Sequence, residues 1–271
     1  MTSYVNVPAN AKAQDARRSN IIKLYGPEAF DGMRRAGALT AKCLDGLSDL
    51  IHPGVALAQI NDFVVAFASQ HGATPATLGY HGYPYACCTS VNHVVCHGFP
   101  NQKRLRDGDI VNVDVTLICD GWYGDASRMY GVGKPKHAAQ RLMQIAYEAM
   151  MQGIRVVRPG ARLGDIGHAI DSYARSQRCS VVRDFCGHGI GQVFHDTPDV
   201  LNFGTAGTGP ELREGMIFTV EPMVNLGRAD VKILADNWTA VTRDRSLSAQ
   251  FEHSIGVTSD GYEIFTYSRS A

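Results

Sequence analysis

The run Asp109-Ile110-Val111-Asn112-Val113-Asp114-Val115-Thr116-Leu117-Ile118-Cys119-Asp120-Gly121-Trp122-Tyr123-Gly124-Asp125 decides how the chain reads. An Asp-Gly pair between alternating, β-branched segments is a strong hairpin signal, so the run predicts two antiparallel strands turning at Asp120-Gly121. Cys119 then faces Trp122, Thr116 faces Asp125 and Asp114 faces Ser127. Period-two alternation places Asn112, Asp114, Thr116 and Asp125 on one face, and Val111, Val113, Val115 and Leu117 on the other. Asp114 and Asp125 become diagonal neighbours about 7–8 Å apart at the backbone, and both carboxylates reach one point. Taken singly, each reads as an ordinary strand or turn aspartate. The valines flanking Asp114 predict a central strand, in which an unpaired carboxylate is expensive.

Outward from the hairpin, the sequence repeats. Pro27 opens a helical pattern with Phe30, Met33, Leu39, Cys43, Leu44, Leu47 and Ile51 on one side, closed by His52-Pro53-Gly54. A second helix is predicted over 57–71, and a Gly- and aromatic-rich segment of short strands over 77–99. The pattern restarts with helices over 137–157 and 163–177, the first closed by Arg158-Pro159-Gly160. Leu105-Arg106-Asp107-Gly108 with Ile110, Val113 and Asp114 is answered by Leu212-Arg213-Glu214-Gly215 with Ile217, Val220 and Glu221. The spacing is 107 residues, which also matches Tyr80-His81-Gly82 with Gly187-His188-Gly189. A period this long indicates two copies of one unit and not a solenoid. The expected architecture is α+β: a 1–26 arm, then one domain over 27–271 with pseudo-repeats at about 27–132 and 137–266. Helices back a curved antiparallel sheet, and Asp114 and Glu221 meet near the pseudo-axis.

Composition narrows the function classes. At 271 residues and 45% hydrophobic, the chain can bury a full core. Its 26 basic residues balance 26 acidic ones, which suggests no nucleic-acid or membrane-surface partner. No stretch approaches the ~18 apolar residues of a membrane span, and no leader pattern opens the chain, so a cytoplasmic location is expected. Seven cysteines form no C-x-x-C pair and read as reduced, buried thiols.

His188 stands in Cys186-Gly187-His188-Gly189-Ile190-Gly191, where glycines permit close backbone approach, and Glu252 sits beside an apolar strand. Alone, each is an unremarkable polar residue, and Glu221 before Pro222 could simply end a strand. Together, Asp114, Asp125, His188, Glu221 and Glu252 supply four carboxylates and one imidazole. Such anions repel unless compensated, and two divalent cations would neutralise them. A metal pair equips a site for hydrolysis, and an oxygen-rich shell with one nitrogen suits Mn, Fe or Co at least as well as Zn.

Val95-Cys96-His97-Gly98, Asn112-Val113-Asp114, Gly124-Asp125, Gly187-His188-Gly189-Ile190-Gly191, Glu221-Pro222-Met223 and the Ser246 to His253 run, in this order over about 27–266, resemble the motifs of type I methionine aminopeptidase. The resemblance implies the pita-bread fold and removal of initiator Met from nascent chains, by a monomer acting near the ribosome, when the second residue is small. It implies that Asp114 chelates one metal, His188 and Glu221 bind the other, and Asp125 and Glu252 bridge. Glu221 would be the general base, and His97 and His195 would contact the scissile amide. Tyr80, His81, Tyr83, Cys88, Phe194 and Trp238 would form the Met pocket or its rim, and Asn92, Val94 and Ser248 a monovalent-cation site. On the same ground the Met1-Thr2 start is itself a substrate, and Met1 is expected to be removed. His93 departs from the acidic or other polar residue expected on the pocket side of its segment. No Cys/His-rich region precedes the core, as it does in eukaryotic cytosolic forms. Two rivals remain. Aminopeptidase P, prolidase and creatinase relatives usually carry an extra N-terminal domain and lack the Ser-Leu-Ser-Ala-Gln run. A catalytically dead binding module of this fold would lose metal ligands and gain basic tails.

Overall fold

The computed structural model describes residues 3–6 and 21–268. Met1, whose removal is expected, and residues 7–20 of the expected arm lie outside the described residues. Ser3–Asn6 (β1) pairs antiparallel with Ile21–Leu24 (β2). The first half continues with Pro27–Gly46 (α1), Leu57–Gln70 (α2), Thr74–Pro75 (β3), a 3₁₀ turn at Tyr80–Gly82, Cys88–Val91 (β4), Val94–Cys96 (β5), Ile110–Cys119 (β6) and Trp122–Gly131 (β7). The second half holds His137–Arg155 (α3), Leu163–Ser176 (α4), Ser180–Val181 (β8), Cys186–Gly189 (β9), Asp196–Leu201 (β10), Ile217–Val220 (β11) and Met223–Asn225 (β12). Val231–Ile233 (β13), Ala240–Thr242 (β14), Ser248–Gln250 (β15), Glu252–Val257 (β16) and Tyr262–Ile264 (β17) complete it. One antiparallel sheet runs β10-β9-β11-β16-β7-β6-β3, with β17 on β16 and β4 on β6.

The hairpin has the expected register: Cys119 opposite Trp122, Thr116 opposite Asp125 and Asp114 opposite Ser127. Asp120 (φ 50°) and Gly121 (φ 78°) both take positive φ, the conformation a tight two-residue hairpin turn requires. Val111, Val113, Val115 and Leu117 are fully buried in one core with Leu44, Leu47, Ile60 and Val64 of the first helical pair and its turn. A second core joins α3 and α4 to the other half of the sheet through Phe218, Val220 and Ile255. Burying whole Val and Leu side chains contributes about 1.5–3 kcal/mol each, and this apolar backing holds the polar face open for chemistry. On α1 the expected apolar side is buried except Leu39, which is only partly so, and the helix stops at Gly46, with a turn at 47–50.

The two halves close in the same way. Gly54 N–H donates to Leu105 O (2.8 Å), as Gly160 N–H does to Leu212 O (3.0 Å); Leu105 N–H returns to Val55 O, as Leu212 N–H does to Ala161 O. Gln59 Oε1 accepts the Ala56 N–H at the start of α2, and Asp165 Oδ2 accepts the Arg162 N–H at the start of α4. This side-chain reach-back satisfies an otherwise orphan donor at a helix start. The match of His81 with His188 does not hold in space. Val91 lies opposite Val111, and Gly189 opposite Phe218, which is 107 positions after Val111, so the counterpart of His188 is Ser90. The halves differ in loop length on either side of these strands, which shifts the offset there. His81 instead sits in the 3₁₀ turn with φ 47°.

α1 lies directly on β7 at Gly124, where an added Cβ would come 2.4 Å from the carbonyl carbon and oxygen of Ala36. Gly124→Ala is expected to destabilise the chain by about 1–3 kcal/mol, the usual cost of overpacking, read as a lower urea midpoint. An unchanged midpoint would mean that α1 recedes freely.

Candidate active site

Three neighbouring strands set three of the carboxylates. Ser127 on β7 faces Asp114 on β6 and Glu252 on β16, so these acids flank one serine on one face of the sheet. Asp125, two residues before Ser127, shares that face. Beyond Glu252 and His253 the β16–β7 ladder ends, and a side chain takes over: Ser254 Oγ donates to Asp125 O (2.7 Å) and accepts Asp125 N–H (3.2 Å). Glu221 is the first residue after β11, where Pro222 cannot extend a ladder. His188 lies on β9 beside β11.

The side chains converge. His188 Nε2 is 3.5 Å from Asp125 Oδ2 and 3.6 Å from Glu221 Oε1, and ligand atoms of Asp125, His188 and Glu252 all lie within 4.8 Å of one another. Thr116 Oγ1 donates to Asp125 Oδ1 (2.7 Å), Thr219 Oγ1 to Glu221 Oε1 (2.8 Å), and Gln250 Nε2 reaches Glu221 Oε2 at 3.4 Å. Asp125, His188 and Glu252 are buried, Asp114 and Glu221 partly so. Among the described residues no lysine or arginine pairs with any of the four acids.

Burial, with repulsion from Asp125 and Glu221, holds the Asp114 carboxyl well above its ordinary range. Glu252 is raised by burial and by Asp125, Glu221 and Asp114. Glu221 is pushed up to about 7, mainly by burial and against the opposing pull of His188. Burial lowers His188, but its bond to Asp125 and the charge of Glu221 outweigh this and raise it. These directions describe anions gathered without enough positive charge, and the donor set fits divalent metal. Two donors each about 2.1 Å from one cation in tetrahedral arrangement lie about 3.4 Å apart, close to the His188 spacings.

Two aromatic groups frame the cluster. On one side Phe194 and His195 pack on each other and against His188, with His188 and His195 ring centroids 4.1 Å apart, and Tyr80 OH lies 2.9 Å from His195 Nδ1. On the other, His97 (φ 55°) packs edge-on to Phe185 and Trp238, and Trp238 meets Tyr83. Burial lowers His97 to about 4, so its ring is neutral at pH 7. Cys88 lies directly opposite Asp114, buried. His81 is exposed, edge-on to Tyr80. Asn92 O accepts the Ser248 N–H (2.9 Å), Val94 lies opposite Val241 on β14, and the buried Ser248 Oγ meets no partner among the described residues. His93 gives its carbonyl to Thr242 N–H, and burial with Lys103, Arg245 and Lys232 nearby lowers its ring.

Sequence reasoning gave no role to Thr219, Ser254 or Gln250, and it missed Tyr123, stacked on Phe194, and Phe185. Period-two spacing was the available signal: Thr219 is two residues before Glu221, Gln250 two before Glu252 and Ser254 two after it.

The sequence matches metallopeptidase family M24 over residues 31–259. A methionine aminopeptidase of Rickettsia prowazekii is 58% identical over 248 residues, covering 91% of this chain and 96% of that protein. Its crystal structure superposes with a TM-score of 0.90 over 91% of this chain and all of that one. The methionine aminopeptidase of Escherichia coli K12 is 46% identical over 90% of this chain and 94% of its own length. Prolidase from Pyrococcus furiosus, 18% identical with a TM-score of 0.71 over 91% of this chain and 66% of that one, shares the pita-bread fold. The chain belongs to metallopeptidase family M24, within its methionine aminopeptidase branch.

Proposed function

We propose that this chain removes the N-terminal Met of polypeptides whose second residue is small, acting as a monomer in the cytoplasm near the ribosome. The observation that carries this reading is the convergence of Asp114, Asp125, His188, Glu221 and Glu252 between two aromatic walls; relatives that bear the name methionine aminopeptidase support it. Two divalent ions, of Co, Mn, Fe or Zn, would be held with Asp114 on one, His188 and Glu221 on the other, and Asp125 and Glu252 between them. Such ions supply Lewis-acid polarisation of a carbonyl and activation of water when bound. Glu221 takes the proton of the attacking water at its carboxylate. His97, neutral, and His195, oriented through Nδ1 by Tyr80, stabilise the oxyanion by hydrogen bonding. Tyr80, Tyr83, Cys88, Phe194 and Trp238 line the slot for the Met side chain, with His81 at its rim. Asn92, Val94 and Ser248 would hold a monovalent cation that ties β5 to β15.

The test is release of free Met from Met-Ala-Ser and Met-Leu-Ser by metal-stripped protein, with and without added Mn, Fe or Co, alongside an Ala-Pro peptide. Metal-dependent cleavage of Met-Ala-Ser but not Met-Leu-Ser is expected. Cleavage of the Ala-Pro peptide alone would favour a prolidase-like activity, and no Met release under any metal would overturn the reading.

A further inference from the structure

We infer that Thr219 is a positioning residue that locks His188 and Glu221 into one frame and so sets the nitrogen-containing half of the metal centre. The inference rests on the metallopeptidase reading above. Thr219 is fully buried on β11, opposite Ser254 of β16. Its Oγ1 accepts the backbone N–H of His188 at 3.0 Å and donates to Glu221 Oε1 at 2.8 Å. Accepting from His188 leaves the hydroxyl proton free to point at Glu221, so both bonds use the one oxygen without conflict. A single hydroxyl thereby joins the backbone of one ligand to the carboxylate of another.

The surrounding ladder is too sparse to do this alone. β9 and β11 share one registered pair, Phe218 with Gly189, and Glu221 lies beyond the end of β11. Gly187 presses against Thr219, since an added Cβ would come 2.4 Å from the Thr219 carbonyl oxygen and 3.0 Å from Oγ1. Among the described residues the other Glu221 oxygen meets only the longer 3.4 Å contact from Gln250 Nε2. Among the described residues Thr116 plays a narrower part, its Oγ1 donating to Asp125 Oδ1.

The test compares Thr219→Ser with Thr219→Ala, which both lose the methyl group and differ only in the hydroxyl, with Thr219→Val as the variant closest in shape. Full-length protein is stripped of metal and titrated with Co(II), following visible absorption and stoichiometry, and thermal unfolding of the metal-free protein is recorded in parallel. Thr219→Ser is expected to bind like wild type. Thr219→Ala and Thr219→Val should lose about 10–100-fold in one binding phase, the range typical of groups that orient metal ligands, and keep the other phase. Kcat for Met release should fall with that phase. If Thr219→Ala binds Co(II) with the affinity and spectrum of Thr219→Ser, the inference is overturned. A change confined to the melting temperature, with binding and spectrum intact, assigns Thr219 a packing role and also overturns it. Should Thr219→Val fail to fold, the Ser and Ala pair decides alone. Wild-type protein that takes up no Co(II) overturns the metal reading itself, before any variant is compared.

Discussion

Glu252→Gln is expected to lower Met release by more than about 100-fold while leaving the metal-free chain at least as stable as wild type at pH 7. Groups that merely orient metal ligands cost 10–100-fold when removed, so loss of a buried ligand from the centre should exceed that range. Stability should move the other way. Glu252 is only 2% exposed, and burial with three neighbouring acids already penalises its charge. The amide keeps the shape and removes the charge, relieving repulsion that otherwise takes a proton or a cation to relieve. Activity assays at saturating metal, with urea unfolding in chelator, separate the two effects. A Glu252→Gln protein that is markedly less stable without metal would show that the carboxyl has a structural partner of its own.

The second large effect is a pH dependence that metal abolishes. Glu221, Asp114 and Glu252 are all raised in the folded chain, Glu221 from 4.5 to about 7. A raised carboxyl favours the folded state fully below its unfolded pKa, and that contribution is lost as pH rises through the folded value. His188, also raised, works in the same direction. Metal-free protein should therefore lose stability between about pH 4.5 and 7. Glu221 contributes over this window because burial raises its carboxyl against the opposing pull of His188. With saturating metal the ligands are deprotonated throughout, so metal should bind more tightly as pH rises and release protons on binding. Urea midpoints with and without metal across this range check the claim. Parallel curves would refute it.

The hairpin, and the places of Asp114, Asp125 and Glu221 on it and on its copy, were legible in sequence because their signals are local: an Asp-Gly turn, a period of two, and a carboxylate at the same place in two copies. The matched turns at Gly108 and Gly215, both with φ 88°, follow from the repeated motif. His188 was assigned the wrong counterpart because a fixed offset cannot survive loops of different length, and only strand pairing reveals Ser90. Thr219 and Ser254 stayed silent since a buried hydroxyl in a strand looks the same whether it packs or orients a neighbour. The aromatic walls likewise depend on chain segments far apart, such as Tyr80 against His195, that no spacing rule joins.

The β7–β16 junction gives the centre a second meaning. Only two registered residue pairs connect these strands, and Asp125 and Glu252, from opposite halves of the chain, stand at that seam. Neither half owns the chemistry. A cation held by both, as proposed, would act as a clasp between two similar units, so that its loss would loosen the junction of the molecule and not merely a surface loop, and metal supply would control cohesion as much as turnover.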